Sequence, residues 1–571
     1  MSNGLVDLDG FFSPRLPRAG TPPEAHKLGM VVGGSLSKGL NIKLDRSTVV
    51  EGMAVGRYVV IHGQTDRRFF SIITDVALDN TNPAIEKTPP DPSNRFLAQV
   101  YQGTSTYGRL EVSPMLVLDR EAAEPRPVKT VPAHFSAVYE ATEDDVNQIF
   151  GAADDQHFYV GAPLDMESVR VHLNLERLVE RSSGVFGKSG TGKTFLTRTL
   201  LAGIVKRKVA VNLIFDMHNE YGWESDAEGK KMVKGLRQLF SEGQVSVMTL
   251  DPESSQRRGS KTDYTIQIGY DQIEPEDVDM LSGIMGLSET QVGALYYLRR
   301  KLGRRWIETL LAEKEGDEEG QSELDALIEE GRLHGGTLGA IQRKLGLFRR
   351  FDFLVPRAHD DVVAKIMEYL DKDIHVILEF GRYGSTLEAY ILVANYLTRR
   401  IHRRYVERKE AAIGRKADEP KPLVITIEEA HKFLDPAIAR HTIFGTIARE
   451  LRKYNVTLLI VDQRPSGIDE EVMSQIGTRV TALLDNEADI RAVFMGVSGA
   501  NELRQVLARL DTKQQALILG HAVPMPVVVQ TRTYGPELYA EVGSREGEDL
   551  QEQLSRNAAL LRGEGDFEGF D

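Results

Sequence analysis

Two rhythms of apolar and polar positions divide the chain. The opening, 1–26, is rich in Pro and Gly with little periodicity and reads as a flexible arm. Beyond it, "LNIKL" alternates apolar and polar side chains. "RYVVIHG", "RFFSIITDVAL", "RFLAQVYQG" and "MLVLDR" follow as β-rich runs split by Gly, Pro, Asn and Asp. Together they predict a small β-barrel or sandwich over 27–165. "TEDDVNQIFG" reads as a short helix with Thr142 as its N-cap. Over 166–535 the rhythm becomes strand, Gly-rich turn, helix, strand. "VAVNLIFDMH", "HVILEFG", "KPLVITIEEAH", "VTLLIVDQRP" and "RVTALLD" are almost continuous apolar runs, as strands buried on both faces should be. The expected fold is α/β with a parallel sheet. Residues 275–355 break the rhythm with apolar positions three and four apart, which predicts a helical insertion. Its basic clusters, "RRKLGRR" at 299–305 and "RRFD" at 349–352, are either solvated helix faces or contacts to nucleic acid. The end, 536–571, is acidic and reads as an extension or tail.

Composition narrows the classes. A chain of 571 residues is too long for one ordinary core. Cysteine is absent, so no disulfide or thiolate metal site can form, and a cytoplasmic location is the expectation. No apolar run approaches the length that crosses a bilayer, and the N-terminus lacks the apolar core of a signal peptide. A net charge of −14 argues against a simple basic DNA-coating protein. It leaves room for a DNA binder that gathers its Lys and Arg on one surface.

The chemistry is concentrated in "GVFGKSGTGKTFL". Gly187, Lys188, Ser189, Gly190, Thr191, Gly192, Lys193 and Thr194 match a phosphate-binding loop between a strand and a helix. Loop amides and the positive end of the helix face the phosphates of ATP. Lys193 is expected on the β and γ oxygens, and the Thr194 hydroxyl on Mg²⁺. "LVITIEEAHKFL" places Glu428 and Glu429 just beyond a buried strand. Hydrolysis needs one carboxylate for the metal shell and another for the attacking water, and we assign Glu428 and Glu429 in that order. Gln463, at the tip of the next strand, is placed to sense the γ-phosphate or its water. Arg181, Arg449 and Arg452 are candidates to neutralise charge developing on the phosphate.

Taken together, "FDMHNEYG" at 215–222, "IEEAHKFL" at 427–434, "ARELRKYNV" at 448–456, "VDQRPS" at 461–466, the phosphate loop and the preceding barrel resemble the HerA family of hexameric DNA-translocating ATPases, related to the FtsK-type pumps. The resemblance runs over almost the whole chain. It implies a RecA-like ATPase core behind a barrel of the type that family carries at its N-terminus. It also implies a homohexameric ring that threads double-stranded DNA and pairs with a NurA-type nuclease on the barrel face in end resection and repair, with no membrane anchor. By the same resemblance Glu429 activates water, Arg452 acts near the γ-phosphate, Arg181 acts across the subunit boundary, and Asp216, His218 and Glu220 lie near the nucleotide or the subunit contact. Related rings include ATPase scaffolds of anti-phage defence complexes and conjugation or secretion pumps, and these are the alternative readings. Lys230, Lys231, Lys234 and Arg237 in "GKKMVKGLRQ" are the expected DNA contacts.

Overall fold

The computed structural model describes residues 26–543 except 65–66, 90, 92, 94, 102–103, 119–124, 152–153, 155, 165, 167, 227–231, 241–242, 313–317, 414–418, 440–441, 451–452, 498–499 and 511–513. The arm over 1–25, the tail beyond 543, Lys230, Lys231 and Arg452 therefore lie outside the described residues. Two compact units result. The first runs to Gly151 and takes in Pro163–Val169 and Asn501–Val506; the second holds the remainder.

The first unit is built on Lys27–Ser35 (β1), Gly39–Leu44 (β2), Tyr58–His62 (β3), Arg68–Asn80 (β4), Thr106–Leu118 (β5) and Ala137–Glu140 (β6). They pair antiparallel in the order β2-β1-β6-β3-β4-β5. β5 then returns to β2 through Leu40↔Val112 and Ile42↔Leu110, closing the barrel. Closure removes the exposed edges that an open sheet would carry. Inward positions alternate along each strand, so Leu40, Ile42, Val59, Ile61, Leu110, Val112 and Val138 form one core. Helix α1 (Glu143–Phe150) starts at Thr142, whose hydroxyl accepts from the Asp145 amide at 3.2 Å while the Asp145 carboxylate accepts from the Thr142 amide at 3.0 Å. This reciprocal cap satisfies two donors that a helix start leaves free. One expectation is overturned here. "RFLAQVYQG" is not a strand; Arg95–Tyr101 is helical. Phe96, Leu97 and Val100 stand at three- and four-residue spacing, a helical period that a short apolar run disguises.

The second unit centres on a mixed sheet. Its strands are His157–Pro163 (β7), Val171–Asn174 (β8), Ser183–Phe186 (β9), Val211–Asp216 (β10), Val245–Thr249 (β11), His375–Glu379 (β12), Leu423–Glu428 (β13), Val456–Asp462 (β14), Thr478–Thr481 (β15), Gln515–Gly520 (β16) and Val527–Thr531 (β17). From β11 the order is β11-β12-β10-β13-β14-β9-β15-β16-β17-β7-β8. Pairing is parallel from β11 to β15 and antiparallel from β15 through β17. Every residue of β10, β12, β13 and β14 is buried, which explains their unbroken apolar runs. The fold is thus α/β and RecA-like, with the acid-bearing β13 separated from the loop-bearing β9 by β14. Between β11 and β12 the chain runs through helices, among them Glu289–Leu302, Trp306–Leu311 and Gly335–Leu345. Trp306 is fully buried there and its indole N–H donates to the Ile273 carbonyl at 3.0 Å. The basic clusters of this region are partly committed within it. Lys301 pairs with Glu330 at 2.9 Å, Arg305 with Glu323 at 2.8 Å, and Arg349 donates to the Leu311 carbonyl. No helix among the described residues is long and apolar enough to cross a membrane.

His375 opens β12 in a dry place. Its Nδ1 accepts from the Asn212 amide at 3.1 Å, so the ring is neutral, and burial pushes its pKa down to about 4. The unfolded chain binds this proton first. The stability this group contributes is therefore full above about pH 6.5 and is lost as pH falls toward 4, by roughly 3 kcal/mol for one isolated group. Urea midpoints for the wild type and His375→Gln at pH 7 and pH 4.5 check this; the variant should lose less stability on acidification.

Candidate active site

The phosphate loop follows β9 because the strand ends where only glycine fits. Gly187 has φ +154°, and a Cβ there would sit 2.8 Å from Thr191 Oγ1 and 2.9 Å from Ala482 Cβ. Helix α2 (Lys193–Arg207) begins after Gly192 at φ +90°, with no side chain capping its first amides. Those amides are left to face an anion. Lys193 Nζ donates to the Lys188 carbonyl at 2.9 Å, curling back over its own loop. Burial holds its pKa below the usual lysine range, against the opposing pull of Glu429, Asp462, Glu428 and Glu220.

Four neighbouring strands each end in a buried carboxylate: Glu379 on β12, Asp216 on β10, Glu428 on β13 and Asp462 on β14. Asp216 accepts from the amides of Glu220 at 2.7 Å and Tyr221 at 2.8 Å, which shapes the turn that carries His218 and Glu220. Burial first, and the neighbouring Glu379 second, push its pKa up to about 7. The folded state holds this proton more tightly than the unfolded chain, so the group costs stability as pH rises from about 4 to 7.

Glu428 is clamped on all sides. Tyr221 donates to its Oε1 at 3.0 Å. The Tyr390 hydroxyl, from the helix Leu387–Ala412 (α3), donates to its carbonyl at 3.0 Å and accepts from its amide at 3.1 Å. Burial raises its pKa well above the usual carboxylate range, with Asp216 and Glu220 adding to the effect. Oε2 of Glu428 is buried with no hydrogen-bond partner among the described residues. An orphaned carboxyl oxygen in the cleft that Thr194 also lines is chemically suited to a divalent cation.

Glu429, the next residue, sits at φ +49°. That conformation is uncommon for a residue with a side chain and costs of order 1–3 kcal/mol, so the surrounding structure must enforce it. It turns the carboxylate toward β14, where Gln463 Nε2 donates to Glu429 Oε1 at 2.6 Å. The loop residues 189–194, His218, Glu220, Glu428, Glu429, Asp462 and Gln463 line one cleft of about 780 Å³. Phe195, Arg198 and Tyr534 line it too. Arg198 is buried, and its guanidinium carbon lies 5.8 Å and 5.6 Å from the rings of Phe195 and Tyr534.

The structure therefore brings together the loop, both glutamates and Gln463. It does not bring Arg181 or Arg449 to them within one chain, and Arg452 lies outside the described residues. Arg181 is exposed at the end of the helix Leu175–Glu180, with its stem against Gly477. Arg449, on the helix Ile443–Glu450 (α4), donates to the Ala439 carbonyl at 3.3 Å and stands 3.8 Å from Glu471. Of the expected DNA contacts that are described, Arg237 is spent on Asp263 at 3.0 Å and on the Val245 carbonyl. Lys234 lies over the Tyr539 ring at 5.7 Å. Sequence reasoning passed over Asp462, His431, Tyr221 and Tyr390. Asp462, His431 and Tyr221 stand inside motifs already singled out, "VDQRPS", "IEEAHKFL" and "FDMHNEYG"; Tyr390 carries no local signal.

A phosphate loop at the head of a helix, facing carboxylates on the strand beyond its neighbour, defines a RecA-like P-loop ATPase. The sequence model of the helicase HerA central domain matches residues 158–401. The chain is 23% identical over 560 residues to the DNA double-strand break repair helicase HerA of Sulfurisphaera tokodaii, across 94% of this chain and 99% of that protein. It is 25% identical over 436 residues to the HerA of Pyrococcus furiosus, across 72% of this chain and 76% of that protein. Among solved structures, VirB4 of Thermoanaerobacter pseudethanolicus aligns with 68% of this chain and 99% of its own at 14% identity and a TM-score of 0.43. Its central region matches the HerA model, and relatives named HerA align along most of its length, so the chain is similar to the HerA family.

Proposed function

We propose that this protein is an ATP-driven translocase on double-stranded DNA, working as a homohexameric ring that feeds DNA ends to a NurA-type nuclease in resection and repair. The observation that carries the reading is the Glu429–Gln463 contact at 2.6 Å, set in one cleft with the phosphate loop. A carboxylate positioned by a neighbouring amide is what water activation requires. The relatives' printed names, repair helicases, supply the DNA part of the reading.

In the mechanism this implies, loop amides and Lys193 hold the β- and γ-phosphates of ATP. Thr194 and Glu428 would hold Mg²⁺, which neutralises phosphate charge when bound. Glu429 takes a proton from water as the water oxygen bonds to the γ-phosphorus and the bond to the bridging oxygen breaks, releasing ADP. Gln463 orients the Glu429 carboxylate. Arg181 is assigned to the site of the neighbouring subunit and Arg452 to the γ-phosphate, with Arg449 a further candidate, because the developing charge needs a cation. Arg181 and Arg449 are absent from the cleft of their own chain, as that role demands.

The test is steady-state ATP hydrolysis with and without linear duplex DNA, with Glu429→Gln as the blank. We expect several-fold stimulation that weakens steeply with added salt, because contacts to the phosphate backbone release counterions. Hydrolysis indifferent to duplex DNA, alone and with the partner nuclease present, would remove the translocase reading.

A further inference from the structure

The turn after Glu429 is tied to β14 by a single buried side chain. Asp462 Oδ2 accepts from the His431 amide at 2.7 Å and lies 3.0 Å from His431 Nδ1. A carboxylate only accepts, so the ring hydrogen is on Nδ1 and points at Asp462. The same Nδ1 is 3.6 Å from Glu429 Oε2, while Glu429 Oε1 takes the Gln463 amide at 2.6 Å. The two oxygens of Glu429 are thus bracketed from opposite sides, and both brackets originate at the tip of β14, from adjacent residues.

We propose that the Asp462–His431 pair is a positioning device for Glu429, holding its carboxylate in the strained turn at the place where the attacking water must stand. The inference rests on the assignment of Glu429 as the water-activating acid. Asp462 sets the turn through the His431 amide and sets the ring through Nδ1. The ring then closes one side of Glu429, so the carboxylate cannot swing away from Gln463 without leaving the His431 imidazole. A rival use of the same three side chains is a cation site, since their ligand atoms lie within 4.8 Å of one another. That use needs the Nδ1 lone pair, so a cation there would have to replace the hydrogen bond to Asp462.

The experiment compares His431→Ala and His431→Asn with the wild type in ATP turnover, in affinity for a fluorescent ATP analogue, and in melting temperature. A misplaced general base costs on the order of a hundredfold, so kcat should fall roughly 10- to 100-fold in the alanine variant. Analogue affinity should stay within about twofold, which separates positioning from binding. The asparagine amide can stand where Nδ1–H stands, and it should restore most of the lost kcat with no change in affinity. Should the alanine variant fail to fold, His431→Phe fills the space without a donor and takes its place. Unchanged kcat in the donor-free variant overturns the inference, as does a parallel loss of kcat and affinity that asparagine does not restore. If Glu429→Gln itself keeps full turnover, the assignment of Glu429 as the base falls instead.

Discussion

Replacing Glu429 with glutamine should stop ATP turnover while leaving nucleotide binding intact. The two side chains have the same shape, and the amide oxygen of glutamine can still accept from Gln463, which now approaches at 2.6 Å. The backbone at φ +49° is equally strained for both, so the change does not disturb the turn. What disappears is a group able to take a proton from water. Loss of a positioned general base costs about 10²- to 10⁴-fold in kcat. Binding is carried by the loop amides and Lys193, which do not touch position 429 through hydrogen bonds, so ATP affinity should change by less than about threefold. Turnover by phosphate release and affinity by equilibrium titration decide it together. Turnover within tenfold of wild type would assign the base elsewhere, with Glu220 the next carboxylate in the cleft.

Replacing Lys193 with alanine should act in the opposite way, abolishing binding rather than chemistry. Glu429, Asp462, Glu428 and Glu220 act on Lys193 and oppose the effect of its burial. Without it, phosphates would enter a cleft whose remaining side-chain charge is dominated by acids. Removing one partner from a buried charged contact costs roughly 2–5 kcal/mol, about 30- to several-thousand-fold in affinity. The fold should survive, because the Nζ contact to the Lys188 carbonyl lies within the loop and supports no other element. Equilibrium binding of a fluorescent nucleotide, with melting temperature as the control, reads both effects. Near-normal affinity would mean that the helix terminus alone holds the phosphates.

Much of this site was legible before any coordinates. Phosphate binding is local chemistry: Gly187 to Thr194 contain the glycines, the cation and the hydroxyl in one stretch, and the flanking strand and helix follow from their own apolar patterns. The buried strands were equally plain, since a strand covered on both faces must be apolar at every position. Short segments on the barrel were less so. "RFLAQVYQG" carries apolar residues at helical spacing, but over so few positions the two periods overlap, and the helix became clear only in the structure. Pairing across long separations was invisible for a different reason. β2 meets β5 about as directly as two strands can, yet nothing in "GLNIKL" names its partner.

What the sequence alone determined is therefore whatever depends on neighbours along the chain: the loop, the types of the longer elements, Thr142 as a cap, and the pair of acids at the end of β13. What only the tertiary structure decided is whatever depends on neighbours in space. Strand order brought Glu379, Asp216, Glu428 and Asp462 to one edge, and their crowding with burial produced the raised proton affinities of Asp216 and Glu428. Tyr221 and Tyr390 reached Glu428 across 207 and 38 positions of sequence. Asp462 seized His431 across 31. The physical reason is the range of the forces involved. Backbone conformation responds to adjacent residues, whereas desolvation and hydrogen bonding in a cleft respond to every group that packing delivers there, from wherever in the chain it comes.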